Sequence, residues 1–208
     1  MGDKFSWLRA LDVKTVVDGG ANVGQWLGYA RQIWPDSTFV CFEPLTECSM
    51  QIPTGGNTIV VNSALGDKVG KIQFRKSSFD QSSSILTMAQ LHKDAFPFTA
   101  GEQLVEVPIT TLDSWCEEND LWPDVIKLDL QGYELNALMC SPRALMGCKL
   151  VICETSYVEL YQGQPLFGQI HDYLSQIGFQ YAGCIELPLA SPIDGRPLEE
   201  DSYFVKVV

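Results

Sequence analysis

The sequence predicts an α/β fold with a doubly wound, largely parallel sheet. Short apolar runs rich in β-branched residues alternate along the chain with segments whose apolar residues recur every three or four positions. Several runs are apolar without interruption, as expected for parallel strands covered on both faces and joined by right-handed crossovers. The length of 208 residues suits one domain with a single core, which we expect to span residues 1–208.

The first strand and helix of this pattern enclose a glycine-rich turn. We expect a short leading helix at residues 5–11, a strand at residues 15–17 that ends in Asp18, and then an amphipathic helix that stops before Pro35. The three glycines of the turn let the backbone approach a ligand, and the helix N-terminus would face it. Asn22 interrupts the G-x-G-x-x-G spacing, so the turn is not a dinucleotide fingerprint.

The remaining elements follow from the same two periodicities. Further apolar runs predict buried strands at residues 38–42, 58–61, 124–129 and 150–153. Alternating runs predict half-exposed strands at residues 71–74 and 104–109. Helices are expected after a capping box at residues 110–113, at residues 135–140 and at residues 165–177. The last two strands are expected at residues 179–182 and 203–208, separated by a long turn-rich connection.

Residues 77–101 form a long serine-rich stretch without a firm period. Connections of this length are uncommon in compact domains and usually act as lids or binding loops. Its apolar residues indicate packing against the rest of the protein: Phe79, Ile85, Leu86, Phe96 and Phe98. We expect a lid over a ligand site, and a surface insertion is the alternative.

The charge of the chain restricts its partners. Fourteen Lys and Arg against 26 Asp and Glu give a formal net charge of −12. Such a field repels polyanions, so we expect neither nucleic acid nor an anionic membrane surface as a partner. A small neutral or cationic substrate suits this charge better.

The apolar runs bear on a membrane span, and the cysteines indicate a reducing compartment. No apolar run approaches the roughly 20 residues needed to cross a bilayer, and no basic-then-apolar leader opens the chain. The seven cysteines include no C-x-x-C pair, and several lie in apolar runs, as Cys41 and Cys153 do. They are expected to be buried, reduced thiols rather than disulfides or zinc ligands. We therefore expect a cytoplasmic protein without a membrane span or a metal site.

Acidic residues end three of the predicted central strands, namely Asp18, Glu43 and Asp129. In open α/β sheets, ligands bind outside the carboxyl ends of the strands near the point where strand order reverses. Glu43 lies 25 residues after Asp18, close to the interval at which an acid accepts hydrogen bonds from a ribose. One acid at a strand end is commonly only solvated, but three at equivalent ends indicate a binding site.

Six stretches occur in a defined order: VVDGGANVGQW, CFEP, NSALGD, VPITTLDSW, IKLDLQGYELNAL and VICETSYVELY. Together they resemble the FkbM-type S-adenosylmethionine (SAM)-dependent methyltransferases over residues 16–183. The resemblance implies the class I methyltransferase fold, a Rossmann-like sheet that is mostly parallel and has an antiparallel last strand. It also implies SAM as the cofactor and O-methylation of a small-molecule hydroxyl, on a sugar, lipid-linked glycan, polyketide or similar metabolite.

Carried over residue by residue, the resemblance implies a cofactor site. The turn that holds the methionine part of SAM matches Asp18, Gly19, Gly20, Asn22 and Gly24. The ribose-binding acid and the residue after it match Glu43 and Pro44. The segment at the adenine edge matches Ser63, Ala64 and Leu65. The signature on the methyl-transfer side matches residues 129–134, which begin with Asp129.

Methyl transfer to oxygen is an in-line displacement, so the protein mainly positions the reactants and assists loss of the hydroxyl proton. Because a carboxylate is a weak base towards an alcohol, we expect Asp129 to orient the hydroxyl or the ammonium group of SAM. Glu134 is expected at the start of the next helix, where the helix dipole favours its charge. His92 would act as a base if residues 77–101 fold over the site, whereas His171 is expected to be a structural or surface residue.

Two other functions remain open from the sequence. A nicotinamide- or nucleotide-dependent enzyme could use the same strand, turn and helix, although the glycine spacing and the KLDLQGYE stretch argue against it. A non-catalytic binding module could keep the fold without turnover, although the acids at positions 18, 43 and 129 argue for a working site.

Overall fold

A computed structural model of the chain describes residues 5–207. Within this range the strands are β1 (Thr15–Gly19), β2 (Thr38–Phe42), β3 (Thr58–Val61), β4 (Ala64–Leu65), β5 (Gly70–Ser77), β6 (Glu102–Thr110), β7 (Val125–Leu128), β8 (Leu150–Ser156), β9 (Phe179–Cys184), β10 (Leu189–Ala190) and β11 (Pro197–Lys206). The α-helices are α1 (Ser6–Arg9), α2 (Gln25–Ile33), α3 (Thr46–Ser49), α4 (Gln90–Ala95), α5 (Leu112–Asn119), α6 (Glu134–Met139), α7 (Pro142–Gly147) and α8 (Phe167–Gln176). Two short 3₁₀ helices lie at Asp80–Ser82 and Pro97–Thr99.

The main sheet in residues 5–207 has the strand order β10–β11–β8–β7–β1–β2–β3, with β9 also paired to β11. Parallel ladders join β3, β2, β1, β7 and β8, whereas β11 runs antiparallel to both β8 and β9. The predicted doubly wound, mostly parallel sheet with an antiparallel last strand is therefore confirmed. Because β1 lies between β2 and β7, strand order reverses there, and a crevice opens outside the strand ends at this point.

Helices cover both faces of the main sheet, as the uninterrupted apolar runs predict. On one face α1 and α2 pack over the strands, and Val16 and Leu27 are fully buried. On the other face α5, α6, α7 and α8 pack around Ile126 and Leu174. Truncating a side chain at this depth, as in Leu174→Ala, should cost about 2–5 kcal/mol through lost burial and the cavity left behind.

A second, smaller sheet has the strand order β4–β6–β5. β5 and β6 form an antiparallel ladder along the full length of β5. Phe74 and Val107 on this ladder pack against Ala64 in a separate apolar cluster. The sequence predicts β5 and β6 but neither β4 nor the separation of this sheet from the main sheet. Residues 77–101 connect β5 to β6, so the small sheet holds both ends of that segment.

Residues 77–101 show no period in sequence, yet the segment is folded and contains α4 and both 3₁₀ helices. Ser77 Oγ donates to the carbonyl of Thr99 at 2.6 Å, and the N–H of Ser78 donates to the carbonyl of Gly101 at 2.6 Å. These bonds tie the two ends of the segment together. Its inner side packs on a small core of Met88, Leu160, Tyr161 and Leu198.

The starts of α2 and α5 have local causes. α2 begins at Gln25 because Gly24, with φ +88°, lies outside the helical region. At α5 the capping residue is Thr111, whose side chain accepts from the N–H of Ser114 at 3.1 Å. The predicted capping box at residues 110–113 is therefore wrong in both members, since the cap lies one residue later than Thr110 and Asp113 does not bond back to it. Asp113 instead accepts from two N–H groups in the first turn of α7.

The last strand begins at Pro197 rather than at position 203. Its first half pairs with β8, through Glu199 opposite Ser156, and with β10. A proline is compatible with the first residue of a strand, where its missing N–H breaks no ladder hydrogen bond. The strand ends at Lys206, and the predicted end at Val208 lies outside the described residues.

The seven cysteines are free thiols. Cys41 and Cys153 are buried free thiols, as predicted. The prediction of buried thiols is wrong for Cys184, which is exposed at the end of β9, and Cys140 is only partly buried. Between residues 5 and 207, no helix is long and apolar enough to cross a membrane.

Candidate active site

A cavity of about 460 Å³ opens outside the carboxyl ends of β1, β2, β7 and β8. Its volume is typical of small-molecule sites, and open α/β sheets bind ligands at this position. One end, which we call the Glu43 end, is lined by Gly20, Ala21, Asn22, Glu43, Pro44, Ala64 and Leu65. The opposite end, which we call the Glu154 end, is lined by Asp129, Gln131, Glu154 and Glu199. Residues 79–99 contribute a wall over both.

The glycine turn is held by its own hydrogen bonds. The N–H groups of Gly20 and Ala21 both donate to the last carbonyl of β2 at 3.0 Å. The N–H of Asn22 donates to Glu43 Oε2 at 3.0 Å. These N–H groups are therefore not available to a ligand, and the turn offers close approach of its backbone instead. Only glycine fits at position 20, where φ is +79° and a Cβ would lie 1.9 Å from the carbonyl oxygen of Asp129.

Glu43 is buried at the end of β2, and both of its oxygens accept hydrogen bonds. Oε1 accepts from the N–H of Leu45 at 2.8 Å and Oε2 from that of Asn22 at 3.0 Å. Burial raises the pKa of Glu43 to about 7, although the two hydrogen bonds lower it. Each oxygen keeps a second lone pair, so the carboxylate can still accept from hydroxyls in the cavity. Asp80, from the opposite wall, lines the cavity as well.

Lys127 lies between two carboxylates. Its Nζ is 3.7 Å from Asp18 Oδ1 and 3.2 Å from Asp129 Oδ2. Burial alone would lower the pKa of Lys127, but the charges of Asp129 and Asp18 raise it above its ordinary value. Burial also raises the pKa of Asp18 to about 6, although Lys127 lowers it. Lys127 is therefore charged at neutral pH and fixes Asp129 at the edge of the cavity.

Residues 129–134 form a tight turn that Glu134 braces. Gln131 and Gly132 have φ of +52° and +94°. Glu134 is buried, and its Oε1 accepts from the N–H of Leu130 at 2.7 Å and from that of Gly132 at 3.2 Å. Burial raises the pKa of Glu134 to about 7, although its hydrogen bonds to backbone N–H groups lower it. Glu134 does not line the cavity and instead shapes the turn beside it.

Gln131 joins three side chains at the Glu154 end. Its Nε2 donates to Asp129 Oδ1 and to Glu154 Oε2, both at 2.8 Å. Its Oε1 accepts from the hydroxyl of Tyr161 at 2.6 Å. Its carbonyl accepts from Ser84 Oγ at 2.7 Å, which ties the segment 77–101 to this turn. The network therefore holds the two carboxylates at a fixed spacing.

The carboxyl groups at the Glu154 end repel one another. Burial, followed by the charges of Asp129 and Glu199, raises the pKa of Glu154 well above its ordinary range. Burial and then the charge of Asp129 raise the pKa of Glu199 to about 8. Burial likewise raises the pKa of Asp201, two positions further along β11. At neutral pH, some of these carboxyl groups are therefore protonated, and a bound cation would displace their protons.

The segment 77–101 supplies an aromatic wall. Phe79 and Phe98 contact edge to face, with centroids 5.5 Å apart, and are 39% and 63% exposed. His92 is buried, and its ring centroid lies 5.2 Å from that of Tyr161. Burial lowers the pKa of His92 to about 4, and its Nδ1 has no hydrogen-bond partner among the described residues. His92 is therefore neutral at pH 7 and has a ring nitrogen available to a ligand.

The structure sorts the predicted site residues into two groups. One group lines the cavity: Gly20, Asn22, Glu43, Pro44, Ala64, Leu65, His92 and Asp129. The other group does not line it: Asp18, Gly19, Gly24, Ser63 and Glu134. His171 lies on α8, with its Nδ1 3.3 Å from Asp172.

Sequence reasoning gave no individual role to several residues of the site: Lys127, Gln131 (within the matched stretch 129–134), Tyr161 and Glu199. A signal existed for Lys127, because a lysine inside an apolar strand needs a charged partner. The other three meet only through tertiary structure, since they come from a turn, a loop and β11. No pattern within one segment could have brought them together.

The family model for the methyltransferase FkbM domain matches residues 18–181. The matched range includes the glycine turn, Glu43 and residues 129–134, and it ends before β10 and β11. The chain is also similar to the 2-O-methyltransferase NoeI of Sinorhizobium fredii. The two are 26% identical over 170 residues, which cover 76% of this chain and 70% of that protein.

Solved structures with the same fold agree with this match. A Listeria monocytogenes protein described as a SAM-dependent methyltransferase has a TM-score of 0.52 and 11% identity, over 100% of this chain and 95% of that one. The plantazolicin methyltransferase BpumL, bound to a desmethyl analogue and S-adenosylhomocysteine (SAH), has a TM-score of 0.53 and 9% identity. That likeness covers 98% of this chain and 81% of BpumL. At these identities the structures establish the class I methyltransferase fold, and the sequence match establishes the family. The chain belongs to the FkbM family of SAM-dependent methyltransferases.

Proposed function

We propose that the protein transfers the methyl group of SAM to a hydroxyl oxygen of a small molecule. The observation that carries this proposal is a single cavity in which the glycine turn and Glu43 lie at one end and Asp129 at the other. The similarity to NoeI, a 2-O-methyltransferase, supports oxygen as the acceptor atom. The formal net charge of −12 favours a neutral or cationic acceptor.

The Glu43 end fits the nucleoside of SAM. Glu43 can accept hydrogen bonds from a ribose with the lone pairs that its backbone partners leave free. Ala64 and Leu65 offer an apolar edge to the adenine ring. Gly20 lets the backbone come close to the methionine part of the cofactor. Behind the turn, Asp18 is buried and does not line the cavity, and its charge is balanced by Lys127, whose Nζ lies 3.7 Å from Oδ1.

SAM, when bound, supplies a methyl group on a positively charged sulfur. The chain's own residues then have to place the acceptor hydroxyl in line and handle its proton. Asp129 suits the first task, because Lys127 and Gln131 fix its two oxygens while its side chain stays 33% exposed. His92 suits the second task only weakly, since its lowered pKa makes it a poor base. We therefore infer that proton loss is late and accompanies methyl transfer.

Calorimetric titration of SAH into the wild type and into Glu43→Ala tests the cofactor site. A ribose that loses a charge-assisted hydrogen bond should bind about 10- to 100-fold more weakly. Glu47→Ala is the matched control, because Glu47 is an exposed glutamate that pairs with Lys76. Equal affinities for the wild type and Glu43→Ala would remove Glu43 from the site. Binding of NAD without SAH would instead support the nicotinamide alternative.

Incubation with isotopically labelled SAM and a panel of hydroxyl compounds tests the reaction. We expect label to be transferred to oxygen in at least one neutral or cationic compound. A protein that binds SAH but transfers no label to any member of a broad panel would support the non-catalytic alternative.

A further inference from the structure

One face of the main sheet changes from apolar to charged along its strands. Val16, Val125 and Leu150 stand in register across β1, β7 and β8, and partners in a ladder point to the same face. Further towards the carboxyl ends, this face carries charged side chains instead. We call the charged residues of this face that lie beside the cavity the acidic band. They are Lys127, Asp129, Glu154, Glu199 and Asp201.

The acidic band has more carboxyl groups than cations. Lys127 is the only lysine or arginine among the described residues that line the cavity. Its ion pairs go to Asp18 and Asp129, away from the outer part of the band. Glu154 and Glu199 therefore face the cavity as two neighbouring carboxyl groups without a basic side chain of their own.

A second observation at this end also points to a ligand. His92 is 5% exposed and lines the cavity, yet its Nδ1 has no hydrogen-bond partner within the described part of the chain. Its ring packs on Tyr161, whose hydroxyl bonds to the glutamine that holds Glu154. A buried polar atom without a partner is unfavourable, so a ligand that donates a hydrogen bond would satisfy it.

The Glu43 end and the Glu154 end are too far apart to bind the same part of one ligand. Neighbouring strands lie about 4.8 Å apart, so β8 lies roughly 14 Å from β2, which carries Glu43, and β11 roughly 19 Å. If Glu43 binds the ribose, Glu154 and Glu199 lie beyond the methionine part, on the acceptor side. Glu199 also lies outside the matched residues 18–181, so the family match does not account for it.

We propose that the methyl acceptor carries a protonated amine close to its hydroxyl, and that Glu154 and Glu199 bind this ammonium group. An ammonium group has three N–H donors, and two carboxylates can accept from it in charge-assisted hydrogen bonds. Gln131 keeps Glu154 next to Asp129, so the amine would place a neighbouring hydroxyl beside Asp129. The proposal rests on the proposed methyltransferase function and specifies its substrate class.

The test compares hydroxylated amines with their uncharged N-acetyl derivatives on protein saturated with SAH. The probes are ethanolamine with N-acetylethanolamine and glucosamine with N-acetylglucosamine, measured by ligand-observed NMR titration. We expect the amine of at least one pair to bind about 10-fold or more tightly than its N-acetyl partner. Glu154→Gln and Glu199→Gln should each remove most of this preference and leave SAH affinity within about twofold. Glu117→Gln, an exposed glutamate paired with Arg143, is the control.

Each outcome decides the proposal. Equal or tighter binding of the N-acetyl compounds by the wild type overturns it, and so does a failure of both amines to bind. A parallel loss of SAH affinity in Glu154→Gln would mean that the band holds the ammonium of the cofactor, which also overturns it. Since the wild-type comparison needs no variant, a Glu154→Gln protein that does not fold leaves the test intact. A wild type that does not bind SAH would contradict the proposed function itself.

Discussion

The two ends of the cavity are built in different ways. At the Glu43 end, a short turn and the ends of adjacent strands form the surface, and backbone hydrogen bonds hold Glu43 in place. At the Glu154 end, side chains from β8, β11 and the turn after β7 meet, and the side chain of Gln131 holds Asp129 and Glu154 together. The geometry of the first end therefore depends on the backbone, and that of the second on side chains that could change without altering the fold.

Under the proposed function, this difference would separate cofactor binding from acceptor choice. A site that is set by backbone geometry accepts few substitutions and serves one ligand. A site assembled from side chains of distant segments can change its charge or shape one residue at a time. The predictions below test whether the two ends are independent, from the largest expected effect to the smallest.

Asp129→Asn should lower turnover about 100-fold or more and keep the fold and the affinity for SAH. The amide loses the charge that Lys127 and Gln131 hold in place, and a small misplacement of the reacting hydroxyl is expected to cost about this factor. Turnover, SAH affinity and melting temperature should be measured on the same samples. Wild-type turnover in this variant would remove Asp129 from the reaction.

Glu134→Gln is the matched comparison for that variant. Glu134 contacts the turn and not the cavity, so its replacement should affect turnover only by shifting the turn, and the loss of turnover should be smaller. We expect a smaller fall in turnover together with a lower melting temperature. A fall in turnover as deep as that of Asp129→Asn, at an unchanged melting temperature, would contradict a purely bracing role.

Gly20→Ala should destabilise the protein and weaken SAH binding at the Glu43 end. The backbone has φ +79°, and the new Cβ would meet the carbonyl oxygen of Asp129, so the turn has to move. Such strain costs about 1–3 kcal/mol even without the clash. Gly28→Ala is the control, because no atom lies within 4 Å of its added Cβ and alanine favours α2 by about 0.5–1 kcal/mol. Equal stability of the two variants in urea unfolding would contradict the close approach at position 20.

The free protein should lose stability as pH rises from 6.5 to 8.5. Burial raises the pKa of Glu43 to about 7 and that of Glu199 to about 8, so the folded state keeps protons that the unfolded state releases. His92 changes the stability in the opposite direction, because burial lowers its pKa to about 4 and the unfolded state therefore binds the proton more readily. This effect operates mainly below the ordinary pKa of 6.5, so it contributes little to the change between pH 6.5 and pH 8.5. At roughly 2–4 °C for each kcal/mol, we expect the melting temperature to fall by several degrees.

Substitution shows which end causes that fall. Glu43→Gln and Glu199→Gln should each flatten part of the pH dependence, since glutamine does not titrate. A melting temperature that stays constant or rises between pH 6.5 and pH 8.5 in the wild type would contradict the raised pKa values.

The segment 77–101 should gain protection from hydrogen exchange when ligands bind. Its ends are tied by Ser77 and Ser78, so we expect only a modest change in the stretch that faces the cavity around Phe79 and Phe98. SAH alone and SAH with an acceptor should be compared by mass spectrometry. Exchange that neither ligand changes would indicate that the segment is only an insertion.

The Glu43 end could be largely predicted from the sequence. Buried parallel strands appear as uninterrupted apolar runs, and an acid that follows such a run marks the strand end, as Glu43 does after β2. The sheet and the position of the cavity follow from that pattern. The local pattern did not indicate that the N–H groups of the turn are already hydrogen-bonded within the protein. Their acceptors, the carbonyl of Phe42 and the side chain of Glu43, lie at the end of β2.

The Glu154 end was harder to predict from the sequence because the residues that form it are distant from one another along the chain. Glu154 and Glu199 are 45 positions apart and become neighbours only through the antiparallel ladder of β8 and β11. The start of β11 was missed for a related reason. Its first residue is a proline, and its acids at positions 199–201 replace the apolar residues by which a strand is recognised. The same charges that make this end a candidate site therefore hide the strand that carries them.

The position of β11 in the sheet has a consequence for the order of assembly during synthesis. β11 lies between β8 and β9, and within residues 5–207 it is the only strand with which β9 pairs. Its ladder with β8 joins positions as far apart as Leu150 and Val205, so loop closure is costly and the edge of β8 stays open until β11 emerges. The turn and Glu43, by contrast, depend on strands made early in the chain. A nascent chain can therefore complete the end that fits SAM before the end that would select the acceptor exists.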